Sequence, residues 1–203
     1  MTGTLHSTGD LVSERYEIID YVGEGGMQEV YQAKDLLLSR TVALKAPKNA
    51  SAAKRFKRSA VVSARVNHAN VAKTLDYIEE AERGYLIEEY IVGKDLSRVL
   101  KENFTRLDPL MAARVLHRLA KGVAASHHVG VVHRDLKPSN VMAVGGESLD
   151  EVKITDFGIA KMAEEELAEA VEGGNDSITA SHPSPELSGA ARQLAGMGAR
   201  FHH

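Results

Sequence analysis

The 203-residue chain contains no cysteine. That excludes disulfides and thiolate metal sites, and it fits a reducing cytoplasm. No run approaches the roughly 18 apolar residues that a membrane helix needs, and the N-terminus lacks the apolar core of a signal peptide. Charge is not in excess on either side: the net value is −3, so no basic field draws the chain to nucleic acid or an anionic membrane. No internal repeat is present. What remains is an ordinary globular composition, 43% hydrophobic and 26% charged. The length suffices for one large domain or two small lobes with a sizeable core. The plain expectation is a soluble intracellular protein.

Residues 1–14 are polar and read as a short, loose lead-in. Tyr16-Glu17-Ile18-Ile19-Asp20-Tyr21-Val22 is β-rich and runs into glycines. Glu29-Val30-Tyr31-Gln32-Ala33 and Thr41-Val42-Ala43-Leu44-Lys45 follow as further short strands. Residues 51–66 read as a helix opened by Ser51, with Phe56, Ala60 and Ser63 toward one side. Strands return over 71–78 and 85–91. After Gly93, Asp95 is placed to cap a short helix through Leu96, Val99 and Leu100. A longer helix has Asp108 as its N-cap and Pro109 in its first turn, with an apolar stripe at 112, 115, 116, 119, 120 and 123. Loop and short strand surround His133 and 153–156. From about Met162 the texture changes to an acidic, alanine-rich stretch, and Gly173-Gly174-Asn175-Asp176-Ser177 reads as a mobile loop. Residues 182–203 are rich in Ala, Gly, Arg and His, with little apolar periodicity.

Four clusters carry chemistry. Gly23-Glu24-Gly25-Gly26-Met27-Gln28-Glu29-Val30 sits between two strands, where glycines let backbone amides approach phosphate oxygens. Alone it is more often a turn, and a dinucleotide fingerprint would need a helix next, whereas a strand follows. Lys45 ends the apolar strand Val42-Ala43-Leu44-Lys45. Such a lysine is usually a solvated charge, but here it is also placed to neutralise α/β-phosphates. Then come Val132-His133-Arg134-Asp135-Leu136-Lys137-Pro138-Ser139-Asn140-Val141 and Lys153-Ile154-Thr155-Asp156-Phe157-Gly158. Asp135 can accept or orient a hydroxyl proton. Asn140 and Asp156 offer the hard oxygen ligands that Mg²⁺ prefers when shared with nucleotide phosphates. Lys137 can stabilise charge on a transferring phosphoryl group. A lone Asp-Phe-Gly would be an ordinary turn; all four clusters in this order make chance a poor explanation.

Over roughly residues 14 to 181 the chain resembles the eukaryotic-like (Hanks-type) serine/threonine protein kinases, in their bacterial form. The resemblance implies an α+β, protein-kinase-like two-lobed fold: a β-rich N-lobe over 15–92 and a partial helical C-lobe over 93–187. Residues 1–14 would be the lead-in and 188–203 an aberrant or disordered tail. It implies ATP and Mg²⁺ as cofactors and a protein Ser/Thr hydroxyl as acceptor. Val22, Gly23, Glu24, Gly25 and Val30 match the glycine-rich loop, Ala43 and Lys45 the lysine-bearing strand, and Glu89 and Ile91 the hinge whose backbone holds adenine. Asp135 matches the catalytic base, Lys137 the phosphate-contacting lysine, and Asn140 and Asp156 the metal ligands. Lysine two places after the catalytic aspartate is the serine/threonine version. Arg134 matches kinases controlled by activation-loop phosphorylation, with Ser177, Thr179 and Ser181 as candidate autophosphorylation sites.

The pattern breaks in four places. Gln28 stands where the third loop glycine usually is. Ser59 stands where the family's helix glutamate would pair with the lysine, and residues 46–75 contain no Asp or Glu at all. Lys45 must then lean on another acid, Asp156 or Glu88, or remain less well ordered. By the resemblance, Glu88 occupies the position at the back of the adenine pocket, where a buried carboxylate needs a partner. The helix itself is basic, with Lys54, Arg55, Lys57 and Arg58, which reads as a solvated face before it reads as a site for an anionic partner. Finally, Ser184-Pro185-Glu186 resembles the motif closing the activation segment, and no helices of the larger lobe are recognisable after it. The leading expectation is a cytoplasmic ATP-dependent protein kinase. The alternative is a nucleotide-binding, non-catalytic module acting through protein contacts. A small-molecule phosphotransferase is disfavoured by Lys137-Pro138-Ser139-Asn140. Neighbouring His127 and His128 point apart on a helix and read as ordinary residues.

Overall fold

The computed structural model describes residues 4–25, 28–81, 83–103, 106–146 and 149–157. Its first part is a six-stranded antiparallel sheet in the order β1-β2-β3-β4-β6-β5. The strands are β1 (Leu11–Val12), β2 (Tyr16–Glu24), β3 (Gln28–Asp35), β4 (Arg40–Pro47), β5 (Thr74–Glu80) and β6 (Arg83–Glu89). Helix α1 (Ala50–Ser63) links β4 to β5.

The two-residue period of the strands divides their side chains between two faces. Tyr16, Ile18, Tyr31, Ala33, Val42, Leu44, Tyr85 and Ile87 form one buried cluster. Within residues 4–10, Leu5 and His6 are packed against it. Leu5 joins the cluster, its amide donates to Glu29 Oε2 at 2.9 Å, and the His6 amide donates to the Tyr31 hydroxyl at 3.1 Å. The pairs Val30↔Lys45, Lys45↔Leu86 and Ala43↔Glu88 lie directly opposite one another, so these side chains share the other face. Gln28, two residues before Val30 on β3, belongs to that face as well. Helix α1 covers part of it, with Phe56 and Ala60 against Leu86.

A second sheet, β7 (Gly93–Asp95), β8 (Val141–Val144) and β9 (Val152–Ile154), pairs antiparallel in that order. Helices α2 (Leu96–Asn103) and α3 (Pro109–His128) pack on it through Leu96, Val99 and Val115. Both caps expected from the sequence are made. Asp95 Oδ1 accepts from the Arg98 amide at 3.0 Å, and Asp108 Oδ1 from the Leu110 and Met111 amides at 2.9 and 3.2 Å.

Some boundaries, and the buried face of one helix, differ from expectation. Helix α1 stops at Ser63, and Val66 is buried from a turn instead. The strand expected from residue 71 starts at Thr74 because Val71 and Ala72 are used elsewhere. Val71 bridges Ile154, and the Ala72 amide donates to Ile154 O at 2.8 Å, which stitches the two sheets together. The buried stripe of α3 is rotated from the apolar one: Leu116 is 65% exposed, and Gly122 and Ser126 are buried. A Cβ on Gly122 would lie 3.0 Å from Asn70 O and 3.1 Å from Ile154 Cδ1, so the missing side chain is what lets α3 approach β9. Apolar counting cannot see a stripe built on small residues.

Candidate functional site

The site face of the first sheet carries one buried cation. Lys45 is 5% exposed, with its Nζ 2.6 Å from Glu88 Oε2 and 2.8 Å from Asp156 Oδ1. Period and register explain the first contact, since Glu88 pairs across β4–β6 with Ala43 and shares the face of Lys45. The second comes from the segment after β9. Burial works against the charge on Lys45, but the two carboxylates outweigh it and raise its pKa. Burial also raises Glu88, beyond what Lys45 restores. On Asp156 burial is overcome by the charge and hydrogen bond of Lys45 and by the N–H of Gln28, and the carboxyl sits below its ordinary value. Asp156 is therefore the firmly ionised partner and Glu88 the one that holds a proton more readily. Gln28 Nε2 donates to the same Asp156 Oδ1 at 2.9 Å.

Opposite lies the loop before the short 3₁₀ turn Pro138–Asn140. Asp135 Oδ2 accepts from Lys137 Nζ at 2.8 Å and from Asn140 Nδ2 at 3.1 Å, and its main-chain oxygen also receives Asn140 Nδ2 at 2.8 Å. The hydrogen bond from Lys137 lowers the Asp135 pKa, so it is ionised at neutral pH. Because the Asn140 amide nitrogen is committed to Asp135, the atom it can present to a cation is Oδ1. Thr155 N donates to Asn140 O at 2.9 Å across the β8–β9 hairpin, so Asn140 and Asp156 sit at the same end of that hairpin. Two hard oxygen donors there fit a Mg²⁺ ion that takes its remaining ligands from phosphates and water.

His133 ties these parts together, a role the sequence did not reveal. It is buried; its Nε2 donates to Thr155 O at 2.8 Å, and its Nδ1 accepts from the Asp135 amide at 3.3 Å. A carbonyl on one nitrogen and an N–H on the other select the neutral Nε2–H tautomer. Its ring meets Phe157 edge-on, with centroids 4.6 Å apart. Arg134 and Asp156 have φ of 64° and 61°, left-handed values that cost a non-glycine residue energy and are held by these contacts.

The glycine loop bridges β2 and β3, although Gly26 and Met27 lie outside the described residues. Gly23 has φ 157° and follows a register shift at Tyr21. Glu24 pairs with Lys48 at 2.5 Å, Val22 is exposed, and Val30 and Ala43 are half-buried on the Lys45 face. At the hinge, the Glu89 amide donates to Lys73 O at 2.9 Å, so only its carbonyl is left to face an adenine. The Glu89 carboxylate holds Lys153 Nζ at 2.8 and 2.9 Å, fixing the hinge to β9. Gly158, Ser177, Thr179, Ser181 and Ser184-Pro185-Glu186 lie outside the described residues.

Residues 16–191 match the protein kinase domain. The chain belongs to the protein kinase family. Among the curated relatives of this kinase domain is a probable serine/threonine-protein kinase of Clostridium acetobutylicum, 36% identical over 162 residues that make up 77% of this chain and 24% of the relative. The probable serine/threonine-protein kinase PknB of Corynebacterium glutamicum is 34% identical, over 87% of this chain and 28% of its own. PrkC of Bacillus subtilis is 34% identical, over 75% and 24%. The chain thus spans about a quarter of the length of these relatives. The kinase fold recurs in the solved kinase domain of Mycobacterium tuberculosis PknI, with TM-score 0.67 and 24% identity over 80% of this chain and 69% of that one. Rad53 in complex with AMP-PNP aligns with TM-score 0.62 and 26% identity, over 71% and 38%. Membership of this family implies the use of ATP. Among the described residues no helix of the kinase domain is long and apolar enough to cross a membrane.

Proposed function

We propose that this kinase domain binds Mg²⁺-ATP and transfers the γ-phosphoryl group to a serine or threonine hydroxyl of a protein, in the cytoplasm. One observation carries the proposal. The Lys45–Asp156 pair from the nucleotide side and the Asp135–Lys137–Asn140 cluster from the acceptor side are linked through the Asn140–Thr155 and His133–Thr155 hydrogen bonds. Each group then has work suited to its chemistry. Lys45 places a charge against the α/β-phosphates, with Glu88 keeping it in place. Val22, Gly23, Glu24, Gly25, Val30 and Ala43 frame the nucleotide, and the backbone at Glu89 and Ile91 takes the adenine edge. Asn140 Oδ1 and Asp156 hold Mg²⁺, which neutralises phosphate charge when bound.

Asp135, ionised and anchored, takes the proton of the acceptor hydroxyl as its oxygen bonds to the γ-phosphorus and the bond to ADP breaks. Lys137 lies beside it, ready to meet the transferring phosphoryl group. The serine/threonine names of the bacterial relatives support the acceptor class. Ser177, Thr179 and Ser181 are proposed as acceptors within the chain, on the strength of their place between Asp156 and Ser184.

Incubation of the chain with Mg²⁺ and γ-labelled ATP, beside Asp135→Asn, tests the assignment. Label on the chain or on a basic protein substrate, lost in the variant, is the expected result. Folded wild-type protein that transfers no label overturns it.

A further inference from the structure

The third position of the glycine loop carries a side chain with one satisfied end and one unsatisfied end. Gln28 is 6% exposed. Its Nε2 donates to Asp156 Oδ1, while its Oε1 is buried and has no hydrogen-bond partner. Turning the amide over is no remedy, because two acceptors would then face each other. A buried acceptor without a donor is destabilising, and a polar visitor is needed to complete it.

Asp156 Oδ1 already receives two donors, Lys45 Nζ at 2.8 Å and Gln28 Nε2 at 2.9 Å. A cation that takes this oxygen, Oδ1, must displace one of them. Lys45 is charged and held from a second side by Glu88 at 2.6 Å. Gln28 is neutral, and its amide oxygen has no tether. Charge-assisted contacts are the stronger ones, so Gln28 is the donor that yields. The freed amide brings an oxygen, which ligates a hard cation directly or accepts a hydrogen bond from its coordinated water.

We propose that Gln28 is a positioning residue for the cation at Asp156: its N–H rests on the carboxylate before the cation binds, and its oxygen turns to the cation or one of the cation's waters afterwards. This rests on the assignment of Asp156 as a metal ligand of the ATP site. The loop residue that departs from the family pattern is thereby coupled to metal binding.

The test is binding of a fluorescent ATP analogue to the full chain, with Mg²⁺ and with EDTA, in wild type, Gln28→Leu and Gln28→Gly. Circular dichroism checks that each variant folds. Loss of an outer ligand contact typically weakens metal affinity by about tenfold or more. Mg²⁺ is therefore expected to act at about tenfold higher concentration in both variants, with binding in EDTA unchanged. A wild-type Mg²⁺ response in the variants overturns the inference alone. So does an equal loss with and without Mg²⁺, the mark of a merely structural residue. Wild-type protein that fails to bind the analogue at all overturns the ATP-site assignment, and the inference with it.

Discussion

At the residue scale, Lys45 matters because it is buried with two acids. Removing one partner of a buried pair leaves uncompensated charge and typically costs about 3–5 kcal/mol. Asp156 stays behind when Glu88 is removed, so Glu88→Ala is expected at the low end, about 3 kcal/mol in urea unfolding. Glu88→Gln keeps an acceptor for the Lys45 N–H and is expected to cost less; equal costs would argue that charge and hydrogen bond are not what Glu88 supplies. A second residue-scale expectation concerns acid. The hydrogen bonds from Arg15 to Asp35, at 2.8 and 2.9 Å, hold that fully buried carboxyl down at about 2. A depressed acid contributes stability above its unfolded pKa of about 4 and loses it as pH falls toward 2, a total on the order of 2 kcal/mol. The stability gap between wild type and Asp35→Asn is therefore expected to be full at pH 6 and to shrink below pH 4. A gap that is constant with pH would contradict this.

At the element scale, α3 shows what decides packing. Gly122→Val would push two methyls into Asn70 O and Ile154, and overpacking of this kind costs about 1–3 kcal/mol. Ala120→Val, on the exposed side, is expected to cost only a few tenths of that through lowered helix propensity. Thermal melts of the two variants separate them. Asp108→Ala removes a cap that serves two amides and is expected to cost about 1 kcal/mol. The caps were readable from sequence because an Asp just ahead of a helix start is a local signal, strengthened at Asp108 by the proline that follows. The face of α3 was not, because a glycine and a serine bury themselves here for lack of bulk. Likewise, the start of β5 moved from 71 to 74 because Val71 and Ala72 pair with Ile154, a partner more than eighty residues away.

At the scale of the whole molecule, the motifs named residues that the fold brings together, and their contacts needed the fold. Lys45, Asp135, Asn140 and Asp156 were readable from order and chemistry. The tie through His133 and the reach of Gln28 to Asp156 join residues far apart in the chain, which spacing cannot encode. The site draws on both sheets, so a nucleotide held there stabilises them together. Mg²⁺-ATP at a hundred times its Kd is expected to raise the unfolding free energy by about 2.7 kcal/mol in a single transition. Two separate transitions, with only one responding, would show that the site is not shared. The anchoring of Lys45 from strand β6 has an outcome for sequence variation. Where a helix acid holds this lysine, the helix is the stretch least able to change; here that burden falls on the strand leading to the hinge. A saturation screen of the chain should find position 88 intolerant and position 59 permissive, so a disabling substitution would be found in the sheet rather than in the helix that covers it.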